Sequence, residues 1–126
     1  MNRAVQYFER IQSLILRLSN IIIERYEEQV LSKDRGNLRI RVRFYDNSLL
    51  EISEAIHFDK SKCNYLSYRY HYQKSDGSII FRYDNCPHHP EASTYPEHKH
   101  TKSGVISSNR PDIEDILSEA EKSITN

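Results

Sequence analysis

Histidines are concentrated in one stretch of this chain. Four of the six histidines lie between positions 88 and 100, on a segment that also holds Pro87, Pro90 and Pro96. Each proline restricts its own backbone and that of the residue before it, so the segment should hold its side chains in defined places. The four residues are His88, His89, His98 and His100.

Imidazole side chains change charge near neutral pH, so two histidines can take and give a proton within one turnover. Metal-independent RNA cleavage needs such a pair, because a base removes the 2′-hydroxyl proton and an acid protonates the leaving oxygen. A cation must stabilise the added phosphate charge, and Arg82, Lys99 or Lys102 could supply it. Asp84 could orient one imidazole through a ring N–H. The predicted catalytic residues, with no metal or other cofactor, are His88, His89, His98, His100, Asp84, Arg82 and Lys99.

Two other interpretations of the histidines stay open. They could hold a loop in place through hydrogen bonds to its backbone and have only a structural role. They could instead bind a metal ion in a hydrolase, although their spacing matches no zinc motif. The candidate ligands in that case are Cys86, His88, His98 and His100.

Hydrophobic periodicity predicts the elements that position this segment. An apolar stripe predicts a helix over residues 3–19, and three consecutive isoleucines favour a strand over 21–32. Alternating apolar and polar residues predict strands within 36–45, 50–58, 65–72 and 79–83, joined by short turns. Pro111 suits the first turn of a last helix, whose apolar face comprises Ile113, Ile116, Leu117 and Ala120.

These elements predict one α+β domain over residues 1–126. Short turns between successive strands indicate an antiparallel β-meander of four or five strands. The N-terminal and C-terminal helices each have one apolar stripe, so both are expected to pack on one face of the sheet. Asn85 to Gly104 has no apolar periodicity and is predicted to be one long loop.

Polar and aromatic residues on the strands are candidate substrate contacts. Arg39, Arg41 and Arg43 alternate with the apolar positions of their strand and could contact phosphates. Glu54 occupies a position where alternation calls for an apolar residue. The pattern favours a bulge that turns it outward, and the alternative is a buried carboxylate paired with Arg69 or Arg82 or held beside tyrosines. The predicted substrate-binding residues are Arg41, Arg43, Arg69, Tyr68, Tyr70 and Glu54.

Composition limits the classes of partner. Lys plus Arg and Asp plus Glu each total 18 residues, so the formal net charge is zero and bulk charge alone would not hold a nucleic acid. No apolar run approaches the roughly 20 residues needed to span a membrane. The first ten residues lack the apolar centre of a signal peptide. A cytoplasmic protein is therefore expected, with Cys63 and Cys86 reduced.

The chain resembles the TumE-type family of small toxins in prokaryotic type II toxin–antitoxin modules. This resemblance spans roughly residues 22–117. It implies growth inhibition by the unopposed toxin and a cognate antitoxin with a helix-turn-helix domain, whereas the cellular target is left open. The residues that carry it are Glu54, Tyr68 to Tyr70, Arg82 to Glu91 and Thr94 to His100.

Overall fold

The computed structural model describes residues 2–124 and contains two helices and seven strands. Successive strands are joined without any intervening helix, and the two helices lie at the ends of the chain. The elements are α1 (Arg3–Leu16), β1 (Ile21–Ser32), β2 (Arg35–Phe44), β3 (Leu49–Asp59), β4 (Lys62–Gln73), β5 (Ile79–Asp84), β6 (His98–Thr101), β7 (Gly104–Ser107) and α2 (Ile113–Lys122).

All seven strands form one antiparallel sheet, in the same order as in the chain. The α+β class and the antiparallel meander are thus confirmed, but the predicted strand count of four or five is too low. The missing strands are β6, which lies within the predicted long loop, and β7, which begins at the last residue of that loop, Gly104. Only residues 85–97 connect β5 to β6 without helix or strand.

One face of the sheet is covered by both helices. Leu38, Ile40, Val42 and Phe44 of β2 are at most 2% exposed, as their alternation predicts. Apolar residues of α1 and α2 join them in one hydrophobic cluster. An ion pair between Arg10 of α1 and Asp112, at the start of α2, links the two helix surfaces at 3.2 Å. The opposite, outer face of the sheet carries polar residues and is free of helices.

Side-chain caps define both helix starts. The Asn2 side chain accepts a hydrogen bond from the backbone N–H of Val5, and Asp112 accepts one from that of Ile113, each at 3.0 Å. Such caps satisfy amide groups that have no partner within the helix. Pro111 therefore precedes the N-cap of α2. The prediction that it lies in the first turn of the helix was wrong. No helix within residues 2–124 has the length and apolar character needed to cross a membrane.

Candidate active site

Cross-strand pairing gathers polar side chains on the outer face of β4, β5 and β6. Asp84 of β5 pairs with Arg69 of β4 on one side and with His98 of β6 on the other. Arg82, two residues before Asp84 on β5, pairs with His100 of β6. Residues two apart on a strand face the same side of the sheet, so these side chains share one surface. The sheet register therefore places strands β4 to β6 under a common site.

A pocket of about 540 Å³ lies over this surface. The strands form one wall, and the loop from Asn85 to His89 forms another. This volume falls within the range of roughly 300–1,000 Å³ that is usual for small-molecule sites. The polar and sulfur-containing residues that line it are Ser67, Tyr68, Arg69, Arg82, Asp84, Asn85, Cys86, His88, His89, His98 and His100.

Three of the four predicted histidines meet in this pocket, and we call His89, His98 and His100 the imidazole cluster. The ring centroids are 4.8 Å apart for His89 and His98, 4.8 Å for His98 and His100, and 5.3 Å for His89 and His100. His88 lines the same pocket but lies beside Cys86, with 3.4 Å between its Nδ1 atom and the sulfur. The structure thus separates two neighbouring histidines that the sequence grouped together.

His98 is fixed at both ring nitrogens. Its Nδ1 atom lies 2.9 Å from the carbonyl oxygen of Pro96, and its Nε2 atom lies 2.9 Å from Oδ1 of Asp84. The carbonyl can only accept, so Nδ1 carries a hydrogen and donates it. The His98 side chain is 1% exposed. It is therefore held rigidly behind the pocket surface and cannot contact a substrate directly.

His100 connects His98 to the open part of the pocket. Its Nε2 atom is 3.0 Å from Nε2 of His98 and 3.6 Å from Oδ2 of Asp84, and 26% of its side chain is exposed. Burial lowers the pKa of His100; the Asp84 charge opposes this shift, and neighbouring cationic groups, including Arg82, add to it. The neutral ring, which has a free lone pair, is favoured.

His89 reaches the cluster from the loop, and Glu91 fixes its ring. The Nδ1 atom of His89 lies 3.0 Å from Oε1 of Glu91, and 29% of the His89 side chain is exposed. Because a carboxylate accepts, Nδ1 of His89 is the donor and Nε2 is left for the cluster. Sequence reasoning missed Glu91, since a carboxylate two residues after a histidine is too common a pattern to signal a contact.

The loop that carries His89 is held by turns and by side chains. Backbone hydrogen bonds join His89 to Ala92 and Ala92 to Tyr95. The side chain of Asn85 accepts from the backbone N–H of Tyr68 at 3.0 Å, which ties the start of the loop to β4. Asp84 likewise accepts from the backbone N–H of Cys86 at 3.0 Å. The expectation that this segment holds its side chains in defined places agrees with these contacts.

Of the cations predicted to stabilise the phosphate charge, Arg82 borders the cluster, whereas Lys99 and Lys102 do not line the pocket. Arg69 and Arg82 both line the pocket, and Nε of Arg82 donates to Nδ1 of His71 at 3.2 Å. Lys99 lies on the helix-covered face, where its amino group contacts Glu119 of α2 at 3.0 Å. Its predicted catalytic role conflicts with this placement, because neighbouring strand residues face opposite sides of a sheet.

Arg41 and Arg43 share the outer face but lie away from the pocket. Both form ion pairs with Glu24 of β1, at 2.9 Å and 3.1 Å. Three strand spacings, roughly 14 Å in total, separate β2 from β5. Arg41 and Arg43 are thus paired with a carboxylate and are not part of the wall of this pocket.

Tyr68, Tyr70 and Glu54 lie on the helix-covered face, where they are 3%, 0% and 4% exposed. Glu54 accepts hydrogen bonds from the hydroxyls of Tyr7, at 2.6 Å, and Tyr70. The bulge interpretation of Glu54 was therefore wrong, and the alternative of a carboxylate beside tyrosines is confirmed, without Arg69 or Arg82 as its partner. Burial keeps the side chains of Tyr70 and Glu54 from a ligand on the outer face, so our proposals omit these two as substrate contacts. Tyr68 is also among the residues that line the pocket.

Comparison with known proteins gives one match. A family model described as Toxin TumE matches residues 11–126 of the chain. No curated protein and no solved structure matches it significantly.

Proposed function

Because this chain belongs to the TumE toxin family, we propose that it inhibits growth by metal-independent cleavage of RNA in the pocket over β4 to β6. Family membership accounts for the toxin role and for an antitoxin partner. The cleavage chemistry rests on one observation, the convergence of His89, His98 and His100 beside Arg82 in a single pocket. Clustered titratable groups in a cleft are typical of catalytic sites.

The proposed reaction is a transesterification at one phosphodiester linkage of the RNA chain. A base in the pocket accepts the 2′-hydroxyl proton while the 2′ oxygen attacks the adjacent phosphorus. The bond from phosphorus to the 5′ oxygen breaks, and an acid donates a proton to that oxygen. The products are a 2′,3′-cyclic phosphate and a 5′-hydroxyl, so atoms and charge balance without a co-reactant.

Accessibility assigns the roles within the imidazole cluster. His89 and His100 have exposed side chains and can contact the substrate, so they form the proposed acid–base pair. His98 is buried between Pro96 and Asp84 and is therefore a positioning residue for His100. Arg82 and Arg69 border the same pocket and are placed to stabilise negative charge on the phosphate.

Growth assays of single variants test this assignment. Expression of the wild-type chain without antitoxin should stop growth, and His89→Ala and His100→Ala should each relieve the arrest. Loss of an acid or base typically slows such a reaction by about 10²–10⁴-fold. The matched control is His57→Ala on β3, a histidine that does not line the pocket, and this variant should stay toxic.

Toxicity that persists in both folded cluster variants would contradict the catalytic proposal. It would favour the non-enzymatic alternative, in which the protein inhibits a target by binding it and the histidines stabilise the loop. In that case each substitution should lower the melting temperature, while growth arrest should stay close to that caused by the wild type. A melting curve for each variant separates the two results.

The proposed partner is an antitoxin with a helix-turn-helix DNA-binding domain, encoded beside the toxin gene. Membership in a toxin family implies an antitoxin in general, and the resemblance noted in the sequence implies that it has a helix-turn-helix domain. Inspection of the neighbouring reading frame and co-purification of its product with this chain test the proposal. A neighbouring protein that neither binds the chain nor restores growth would contradict it.

A further inference from the structure

The imidazole cluster has the spacing of ligands around one metal ion. One ligand nitrogen from each of its three histidines lies within 4.8 Å of the other two, and the Nε2 atoms of His98 and His100 are 3.0 Å apart. In a tetrahedral site, two ligands that each bind zinc at about 2.0–2.1 Å lie roughly 3.3–3.4 Å from each other. The separation of the His98–His100 pair, 3.0 Å, is close to that value. His89 is on a partly exposed loop, where a small side-chain rotation can bring it closer.

In His98 and His89, the Nδ1 atom has a hydrogen-bond partner outside the cluster, so the Nε2 atom faces the cluster. In neutral His98 the proton is on Nδ1, which donates to Pro96, so the Nε2 lone pair points away from the backbone. In neutral His89 the proton is on Nδ1, which donates to Glu91 at 3.0 Å. Metal-binding histidines commonly donate their second ring N–H to a carboxylate or a carbonyl in this way.

Asp84 supplies negative charge at the same point. Its Oδ1 atom is 2.9 Å from Nε2 of His98, and its Oδ2 atom is 3.6 Å from Nε2 of His100. A lone pair and a carboxylate at such a distance repel each other unless a proton or another cation lies between them. Three imidazoles and one carboxylate make a donor set that favours zinc, nickel, cobalt or copper over magnesium or calcium.

We infer that His89, His98 and His100, together with Asp84, bind one divalent transition-metal ion, and that this ion inhibits the RNA cleavage proposed above. The inhibitory part rests on the proposed function, because a bound ion takes the lone pairs that the proposed acid–base pair needs. The binding part stands on the geometry alone. Cys86 and His88, two of the candidate ligands considered from the sequence, are outside this ligand set, which includes His89 instead.

Calorimetric titration of the metal-stripped full chain with ZnCl₂ tests the site, using protein purified without a histidine tag. The wild type should bind one Zn²⁺ per chain. His89→Ala and His100→Ala should each weaken binding at least about tenfold, and Glu91→Gln should weaken it by a similar factor because it holds the His89 ring. His57→Ala and His88→Ala are the matched controls and should bind as the wild type does.

Cobalt gives a spectroscopic readout of the same ligands. Co²⁺ added to the wild type should produce visible absorption bands that Zn²⁺ displaces, and His100→Ala should lose them. Melting curves establish that each variant is folded. Absence of stoichiometric binding by the wild type, or an equal weakening in His57→Ala, would overturn the site.

An RNA cleavage assay separates the inference from the proposed function. With total cellular RNA as the substrate, cleavage in EDTA that stops when Zn²⁺ is in excess supports both. Zinc binding without any RNA cleavage overturns the inhibitory part and the proposed function but leaves the site. Cleavage without zinc binding overturns the site and leaves the function. Cleavage that requires added Zn²⁺ overturns inhibition and the metal-independent mechanism together.

Discussion

At the scale of single residues, His98 shows how the site is organised. It is bonded to Pro96 and Asp84 and is almost fully buried, whereas His100 and His89 extend from it towards the pocket. A buried ring with a polar contact at each nitrogen has little freedom to move, so it can hold a neighbouring reactive side chain in place. The proposed acid–base pair therefore depends on a histidine that never contacts the substrate.

Spacing alone predicted that the histidines form a cluster but not which of them belong to it. Four histidines within a proline-rich segment indicated a cluster, and three of them form one. The fourth, His88, turns towards Cys86 because successive residues in a tight turn point in different directions. A loop over residues 98–100 would have allowed Lys99 to join the predicted catalytic residues. These residues form a strand instead, which places Lys99 on the other face of the sheet.

Arg69 provides a prediction at this scale. Substitution Arg69→Gln removes a guanidinium that lines the pocket, so RNA binding should weaken and the slope of log affinity against log salt should fall by about one. Arg41→Gln is the matched control, since Arg41 is paired with Glu24 and does not line this pocket. Fluorescence anisotropy with labelled single-stranded RNA over a salt series measures both. Equal losses in the two variants would contradict a local phosphate site.

At the scale of elements, the longer strands were predictable and the short ones were not. β2 alternates apolar and polar residues because one face is buried and the other is solvated. β6 is four residues long and carries His98 and His100 on one face and Lys99 on the other, so it has no apolar period to detect. A strand that bears the site on one side and an ion pair on the other cannot be distinguished from a polar loop.

Glu54 of β3 shows the same limit for a buried polar group. Alternation correctly indicated that its position belongs to the core. Its hydroxyl partner Tyr7 is on α1, 47 residues away, and Tyr70 in turn accepts from Arg110 at 3.0 Å. Partners that are so distant in sequence cannot be assigned from spacing, so the burial of Glu54 was missed.

Glu54→Gln tests the energetics of this network. Tyr7 and Tyr70 donate to different carboxylate oxygens of Glu54, and the amide replaces one of these oxygens with a donor. One hydroxyl therefore loses its acceptor, and the free energy of unfolding should fall by about 1–3 kcal/mol. Urea denaturation measures the change. Ser53→Ala, the neighbouring residue on the outer face of β3, is the control and should change stability by less than about 0.5 kcal/mol.

The pH dependence of the stability that Glu54 contributes gives a separate prediction. Burial raises the pKa of Glu54 above its usual 4.5, although hydrogen bonds from Tyr7 and Tyr70 and the charge of Arg110 oppose the shift. The folded state therefore binds more protons than the unfolded state above that value, and the contribution of Glu54 to stability falls as pH rises. The stability advantage of the wild type over Glu54→Gln should shrink between about pH 5 and pH 8. An advantage that grows over this interval would contradict the raised pKa.

The contact between α1 and β2 gives a third prediction for an element. A Cβ atom at Gly36 would lie 2.7 Å from Cζ of Phe8, whose ring is fully buried. Gly36→Ala should therefore destabilise the fold by about 1–3 kcal/mol through overpacking. The same substitution in a Phe8→Leu background should cost less, because the clashing ring is gone. Additive losses in the double variant would show that this contact is not the cause.

At the scale of the whole molecule, the two faces of the sheet have different tasks. The face under α1 and α2 holds the hydrophobic cluster and the Glu54 network, while the open face holds the pocket and its arginines. Since the net charge is zero, the proposed attraction to RNA would come from the local arrangement of Arg69 and Arg82. Stability and the proposed activity can therefore be changed independently by substitutions on opposite faces.

The central claim is that the imidazole cluster cleaves RNA through the 2′-hydroxyl without a metal ion. Purified chain should be incubated with a defined single-stranded RNA in EDTA, and the product ends should be identified by mass spectrometry. We predict 2′,3′-cyclic phosphate and 5′-hydroxyl ends, which disappear with His100→Ala and with an RNA that has a 2′-deoxy nucleotide at the cleavage point. Intact RNA, or products with 5′-phosphate ends, would contradict the account.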